Sequence, residues 1–234
     1  MPHLDAQTKA ELLDSTPPYL RDARSKGDPS LGAGAIYPIE LSDIQVAPFQ
    51  IPPYWPRCYA LDVGWNRTAV LWAALDREID CWYFYTEHYR GQAEPSTHAT
   101  AIKVRGEWIP GIIDPAARGR SQEDGKQLIV SYESLGLNLT PAKNALEAGL
   151  HAVWLRLATG RAKVFSMCQN FEAEYRLYRR DEKGAVERKQ ADHLMDCMRY
   201  IVMTGVGVAI TKPADDAANK WLGNAAGGDD LVNY

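Results

Sequence analysis

Three consecutive apolar stretches near the middle of the chain have the length and residue types of β-strands. They cover residues 57–63, 68–75 and 79–89, and in the third the side chains alternate in character from one position to the next. Gly64 and Asn66 separate the first two stretches, and both residue types suit the positive φ angles of a tight connection. The pattern therefore predicts an antiparallel meander of three strands.

The rest of the hydrophobic pattern alternates helical stretches with short strands. The almost wholly apolar run 108–114 is typical of a buried strand that lies parallel to the first. Thr140 and Pro141 have the residue types of an N-cap and a first helical position, so we expect a helix to begin at Ala142. The other expected elements are helices over 96–105, 121–135, 142–158, 169–177 and 191–204, short strands over 137–139 and 162–165, and a charged hairpin over 178–189.

This order of elements predicts an α/β fold with a mixed central sheet that opens with the three-strand antiparallel meander and has helices on both faces. It resembles the order of the ribonuclease-H-like fold. We expect that domain to cover residues 53–212, after an N-terminal arm or linker over 1–52 that is rich in Gly and Pro. Residues 213–234 are predicted to form a flexible C-terminal tail.

Composition narrows the class of protein. The chain has 234 residues, of which 46% are hydrophobic, and no apolar run approaches the ~20 residues that span a bilayer. The polar, acidic start at Met1 to Asp5 does not resemble a secretory signal. The four cysteines have no paired spacing, which predicts reduced thiols rather than a disulfide framework or a zinc site.

Three aspartates occur inside apolar stretches that are far apart in the sequence. Asp62 lies near the end of the first predicted strand, Asp114 ends the fourth, and Asp196 lies in the last predicted helix. A buried carboxylate is costly unless it is paired or binds a metal, so the three together suggest one site for divalent cations. Each also has a simpler interpretation, because Asp62 and Asp114 suit turns and Asp196 suits a solvated helix position.

The positive charge of the chain is unevenly distributed. The net charge is −4, which argues against a globally basic nucleic-acid binder. Residues 156–189, however, contain nine Lys and Arg against five acids. Such a surplus suits a phosphate backbone, although charge alone favours a solvated helix and hairpin with ordinary surface charge. The candidate DNA-binding residues are Arg179, Arg180, Lys183, Arg188 and Lys189.

Several motifs add a family resemblance. Ile-Asp-Pro-Ala at 113–116 and Asp-His-Leu-Met-Asp-Cys-Met-Arg-Tyr at 192–200 resemble the nuclease (C-terminal) domain of tailed-bacteriophage large terminase subunits. Stretches at 122–125, 144–149, 159–161 and 174–178, and the segment 17–38, are similar to the same family. The resemblance covers nearly the whole chain.

The resemblance implies a function and a set of roles. It implies an endonuclease that cleaves double-stranded viral DNA concatemers during genome packaging, by two-metal-ion hydrolysis with Mg²⁺ or Mn²⁺ and with little sequence specificity. Asp62, Asp114 and Asp196 match the family's acidic triad, and Asp192 and His193 match positions near the site. The implied setting is the host cytoplasm, with double-stranded DNA, an ATPase domain, the portal and the small terminase subunit as partners and no membrane.

The sequence also leaves alternatives. The phosphate-loop pattern G-x-x-x-x-G-K-[ST] does not occur, so we expect the ATPase half to be absent from this chain. A nuclease of the transposase or resolvase type would share the metal site and differ in its partners. A non-catalytic module that docks to the portal or to DNA would keep the acids without using them. A phosphotransferase is disfavoured because the chain is too short for the duplicated domain of that class.

Overall fold

A mixed seven-stranded sheet forms the centre of the chain over the residues that this computed structural model describes, 34–118, 128–187 and 190–213. Its strands, in chain order, are β1 (Gln45–Val46), β2 (Arg57–Asp62), β3 (Thr68–Asp76), β4 (Cys81–Arg90), β5 (Gly111–Ile113), β6 (Leu139–Pro141) and β7 (Ala162–Phe165). The helices are α1 (Leu41–Ile44), α2 (Pro95–Lys103), α3 (Leu128–Ser134), α4 (Leu146–Ala158), α5 (Gln169–Leu177) and α6 (His193–Thr204).

The strand order across the sheet is β1-β7-β4-β3-β2-β5-β6. The predicted meander is confirmed, since β2, β3 and β4 pair antiparallel with one another in sequence order. The prediction that the fourth strand runs parallel to the first is also confirmed, because β5 pairs parallel with β2. Further parallel pairings add β6 beyond β5, and β7 and β1 beyond β4.

Two hydrophobic cores lie on opposite faces of the sheet. Alternate residues of β2 enter different cores, with Cys58 and Ala60 in one and Tyr59 and Leu61 in the other, as the two-residue period of a strand requires. The first core contains side chains of α4, α5 and α6, and the second contains side chains of α2 and α3. Helices on both faces are therefore confirmed, together with the α/β class.

The region around Pro141 differs from the prediction. Residues 139–141 form the edge strand β6, and the helix begins only at Leu146 rather than at Ala142. The backbone N–H of Ala142 donates to the carbonyl of Ile113 at 2.9 Å, which continues the contact with β5. A proline is tolerated on an edge strand because its missing N–H costs no ladder hydrogen bond there. Pro141 therefore ends a strand instead of starting a helix.

Part of the predicted N-terminal arm packs against the sheet. In the described portion, from residue 34 onward, Ile36, Tyr37 and Ile44 are buried in the first core, and β1 pairs with β7. The domain boundary at residue 52 stays a prediction. Residues 1–33, the start of the helix predicted over 121–135, and the predicted tail beyond 213 lie outside the described residues.

The cysteines and the lengths of the helices can also be described. Cys58, Cys81, Cys168 and Cys197 are free and buried. Within the described ranges, no helix combines the length and the apolar character that crossing a membrane would require.

Candidate functional site

Asp62 and Asp114 lie at the ends of two neighbouring parallel strands. The backbone N–H of Asp114 donates to the carbonyl of Leu61 at 3.1 Å, which brings the ends of β2 and β5 together. Ala60 and Ile112, each two residues earlier, belong to the core beneath α6. Because strand side chains alternate between faces, both carboxylates belong to the face of the sheet that α6 covers.

Helix α6 brings the third acid to this face. It packs against β2, β3 and β5, and its apolar side chains Leu194, Met195 and Met198 are fully buried. Asp196 lies in the first turn with its side chain 26% exposed. Burial raises the pKa of Asp196, and the charges of Asp62 and Asp114 add to the increase. Asp62 and Asp114 therefore lie close enough for their charges to act on Asp196, although the three acids come from segments far apart in sequence.

His193 and Asp192 border the same acids. His193 Nδ1 lies 2.7 Å from Asp62 Oδ2, within hydrogen-bond distance. This hydrogen bond is the main cause of a raised His193 pKa. The pKa of Asp192 is raised to about 6, first by burial and then by the charge of Asp196. The structure thus places both predicted secondary residues beside the acids.

An arginine that was not singled out in the sequence holds Asp196 in place. The guanidinium of Arg199 donates to Asp196 Oδ1 from Nη2 at 2.8 Å and from Nε at 3.2 Å, and to Asn144 Oδ1 at 2.7 Å. Its side chain is 3% exposed, and it passes so close to Gly149 that a Cβ there would lie 2.7 Å from Arg199 Cδ. This pair could have been predicted from the sequence, because Asp196 and Arg199 are three residues apart on one predicted helix.

The donor atoms suit a hard divalent cation. Mg²⁺ and Mn²⁺ prefer carboxylate oxygens, and one oxygen of each acid already has a protein partner: Asp62 Oδ2 has His193, Asp114 Oδ1 has the Ala116 N–H, and Asp196 Oδ1 has Arg199. The second oxygens are the candidate ligands. Among residues 34–118, 128–187 and 190–213, no group of three or more His, Cys, Asp and Glu side chains is arranged to hold a metal ion. A cation would therefore have to draw the carboxylates together against their mutual repulsion.

A cavity of about 330 Å³ lies beside Asp196 on the side of α4. Asp192, Asp196 and Arg199 line it together with Asn144 and Glu187. The site therefore opens toward the connection that includes the predicted hairpin.

The predicted DNA-binding residues separate into two environments. Arg179 and Lys183 are exposed, and Asp181 shapes the turn by accepting the Lys183 N–H at 2.9 Å. Arg180 is 3% exposed and ion-pairs with Glu147 at 2.8 Å, so its predicted contact with DNA is corrected: the guanidinium joins the hairpin to α4. Arg188 and Lys189 lie outside the described residues.

The chain is similar in sequence to known phage proteins. No family model matches the chain. It is 29% identical over 208 residues to the large terminase subunits of Salmonella phage P22 and Enterobacteria phage LP7, across 85% of this chain but only 41% and 43% of those proteins. The chain thus spans less than half the length of these curated relatives.

Solved structures give the same result for the fold. The P22 large terminase nuclease domain superposes with a TM-score of 0.70 and 28% identity, covering 77% of this chain and 96% of that domain. The large terminase of a thermophilic bacteriophage, solved in complex with ADP, gives 0.69 at 22% identity, over 87% of this chain and 52% of that one. The nuclease of the thermophilic phage G20c with bound magnesium gives 0.53 at 15% identity, over 72% and 96%. These similarities confirm the resemblance to large terminase nuclease domains and the ribonuclease-H-like fold.

Proposed function

We propose that this chain, a relative of phage large terminase subunits with the fold of their nuclease domain, is a metal-dependent endonuclease that cuts double-stranded viral DNA concatemers during packaging. One observation supports the proposal: Asp62 and Asp114 end neighbouring strands on the face of the sheet that α6 covers, and the charges of both act on Asp196 in the first turn of α6. Burying three carboxylates near one another costs free energy, and bound cations would offset that cost.

The chain's own residues would hold and orient the ligands. Asp62, Asp114 and Asp196 would bind two Mg²⁺ or Mn²⁺ ions. Bound ions of this kind activate water and neutralise charge on a phosphodiester. His193 fixes one oxygen of Asp62, and Arg199 fixes one oxygen of Asp196. Support for divalent ions comes from the G20c nuclease, which was solved with bound magnesium and with bound cobalt.

DNA would be held by its backbone rather than read by sequence. The exposed side chains of Arg179 and Lys183 lie on the hairpin next to the cavity that Asp192 and Asp196 line. Contacts between such side chains and phosphates carry no sequence information and weaken as salt rises. We therefore propose cutting that depends little on sequence and falls with ionic strength. Arg188 and Lys189 stay proposed contacts from the sequence alone.

The relatives support an ATPase domain as a partner. The longer P22 and LP7 proteins are large terminase subunits, and the large terminase of the thermophilic bacteriophage was solved in complex with ADP. We propose that this domain works with an ATPase domain, the portal and the small terminase subunit in the host cytoplasm.

The decisive experiment measures nicking of supercoiled plasmid in Mn²⁺. Asp62→Asn, Asp114→Asn and Asp196→Asn should each lower the rate by more than about 100-fold, because even residues that only support metal ligands contribute about 10–100-fold. Glu78→Gln is the matched control, since Glu78 is exposed in the turn after β3, at the other end of that strand from its pairing with Asp62.

Full activity in all three variants would refute the proposal. A wild-type chain that binds DNA but never cuts it would favour the docking module instead. Cleavage confined to one recombination sequence would favour a transposase or resolvase.

A further inference from the structure

We infer that Glu174 is a positioning residue for the acidic site, acting through the first turn of α6. This inference rests on the proposed function and adds to it a residue outside the predicted acids. Glu174 lies on α5 and its side chain touches none of the three aspartates in the hydrogen bonds that the structure gives it. Its effect would pass through the helix end that carries His193 and Asp196.

Glu174 supplies the N-terminal cap that α6 lacks from its own sequence. The first N–H groups of a helix have no partner within the helix, and Asp192, at the N-cap position, makes no side-chain cap hydrogen bond. Glu174 Oε2 instead accepts the backbone N–H of Leu194 at 2.6 Å. A carboxylate at this end of a helix is also favoured by the helix dipole. The cap therefore comes from a neighbouring helix.

The other carboxylate oxygen ties this cap to the sheet. Glu174 Oε1 accepts the hydroxyl of Tyr89, on β4, at 2.6 Å. The Tyr89 ring in turn lies 4.4 Å from the guanidinium carbon of Arg67, on the connection that follows Asp62. Glu174 itself is only 3% exposed. A buried carboxylate is costly unless hydrogen-bonded, and both oxygens of this one are used to join α5, β4 and α6.

The cap is adjacent to the site in the chain. Leu194, whose N–H is bound, directly follows His193, and Asp196 comes two residues later in the same turn. His193 reaches across to Asp62 at 2.7 Å, so a small rotation of this turn would move two of the site's side chains together. Loss of the Glu174 carboxylate should therefore loosen the arrangement of the acids before it unfolds the domain.

The test compares Glu174→Gln with Glu172→Gln. Gln keeps the volume of Glu174 but removes the charge and one of the two acceptors. Glu172, on the same helix, pairs at the surface with Arg176 and is the matched control. Three quantities are measured: Mn²⁺ binding by electron paramagnetic resonance, the Mn²⁺ dependence of plasmid nicking, and the His193 ring signals by NMR in metal-free protein.

We expect Glu174→Gln to weaken Mn²⁺ binding by about 10–100-fold, to lower the nicking rate less at saturating Mn²⁺ than at low Mn²⁺, and to shift the His193 signals. Glu172→Gln should leave all three as in the wild type. Tyr89→Phe, which removes one of the two bonds, should change them in the same direction by a smaller factor.

Unchanged Mn²⁺ affinity and unchanged His193 signals in a folded Glu174→Gln protein would overturn the inference, even if stability fell, because Glu174 would then be only a helix cap. A wild-type chain that neither binds Mn²⁺ nor cuts DNA would refute the proposed function instead. In that case the NMR comparison still decides whether Glu174 positions His193.

Discussion

Replacing Arg180 should destabilise the protein, whereas replacing its neighbour Arg179 should not. Arg180 is 3% exposed, and its guanidinium donates to Glu147 Oε1 at 3.0 Å, to Glu147 Oε2 at 2.8 Å and to the carbonyl of Gly184 at 2.6 Å. Arg179 is exposed. The two residues have the same chemistry and adjacent positions, so a comparison of their Met variants isolates the effect of burial.

The contacts of Arg180 determine how far its replacement should lower the free energy of unfolding. Breaking a buried ion pair costs about 3–5 kcal/mol, but Glu147 keeps 61% of its side chain exposed and remains hydrated without Arg180. The main cost is then the carbonyl of buried Gly184, and an unsatisfied buried acceptor costs about 1–3 kcal/mol. We expect Arg180→Met to lower the free energy of unfolding by about 2–3 kcal/mol, or Tm by roughly 4–12 °C. Arg179→Met should stay within about 0.5 kcal/mol of the wild type.

Urea unfolding followed by circular dichroism measures both changes. A double-mutant cycle with Glu147→Gln should give a coupling energy of about 0.5–3 kcal/mol for the pair. In gel-shift experiments Arg179→Met should weaken DNA binding, since the charge of Arg179 is available to phosphates in the wild type. The reasoning would be refuted if the two variants were equally stable, or if Arg180→Met alone weakened DNA binding while folding normally.

Two further predictions concern the site and its surroundings. Gly149→Ala would place a Cβ 2.7 Å from Arg199 Cγ and Cδ. We therefore expect Arg199 to release Asp196 and the nicking rate to fall by about 10-fold. An unchanged Mn²⁺ dependence of nicking would contradict this. Burial, and then His98, lowers the pKa of His88 to about 4, whereas an unfolded histidine titrates near about 6.5. Because the unfolded chain then binds the extra proton, the free energy of unfolding should fall as pH drops from about 6.5 to about 4. In urea titrations at several pH values, His88→Gln should make this dependence on pH less steep. An equally steep dependence in the variant would show that His88 does not contribute.

Local sequence patterns were enough to predict the strands of the meander and α5. The predicted range of α5, 169–177, is the observed one. The sequence also located Asp62 and Asp114 at strand ends, because apolar runs show where strands stop. It misplaced the start of α4, because Thr140 and Pro141 satisfy a helix start and an edge strand equally well. Only the pairing of β6 with β5 shows that these residues belong to an edge strand.

The sequence by itself indicated most of the strands and helices and the acids that interrupt them, since periodicity and turn chemistry act between near neighbours in the chain. The tertiary structure alone decided which of the two adjacent arginines, Arg179 and Arg180, is buried. It also decided that His193 meets Asp62 across 131 residues and that Glu174 caps a helix 20 residues away. The physical reason is that the free energy of a buried charge depends on its partners in space, and packing of distant segments brings those partners together.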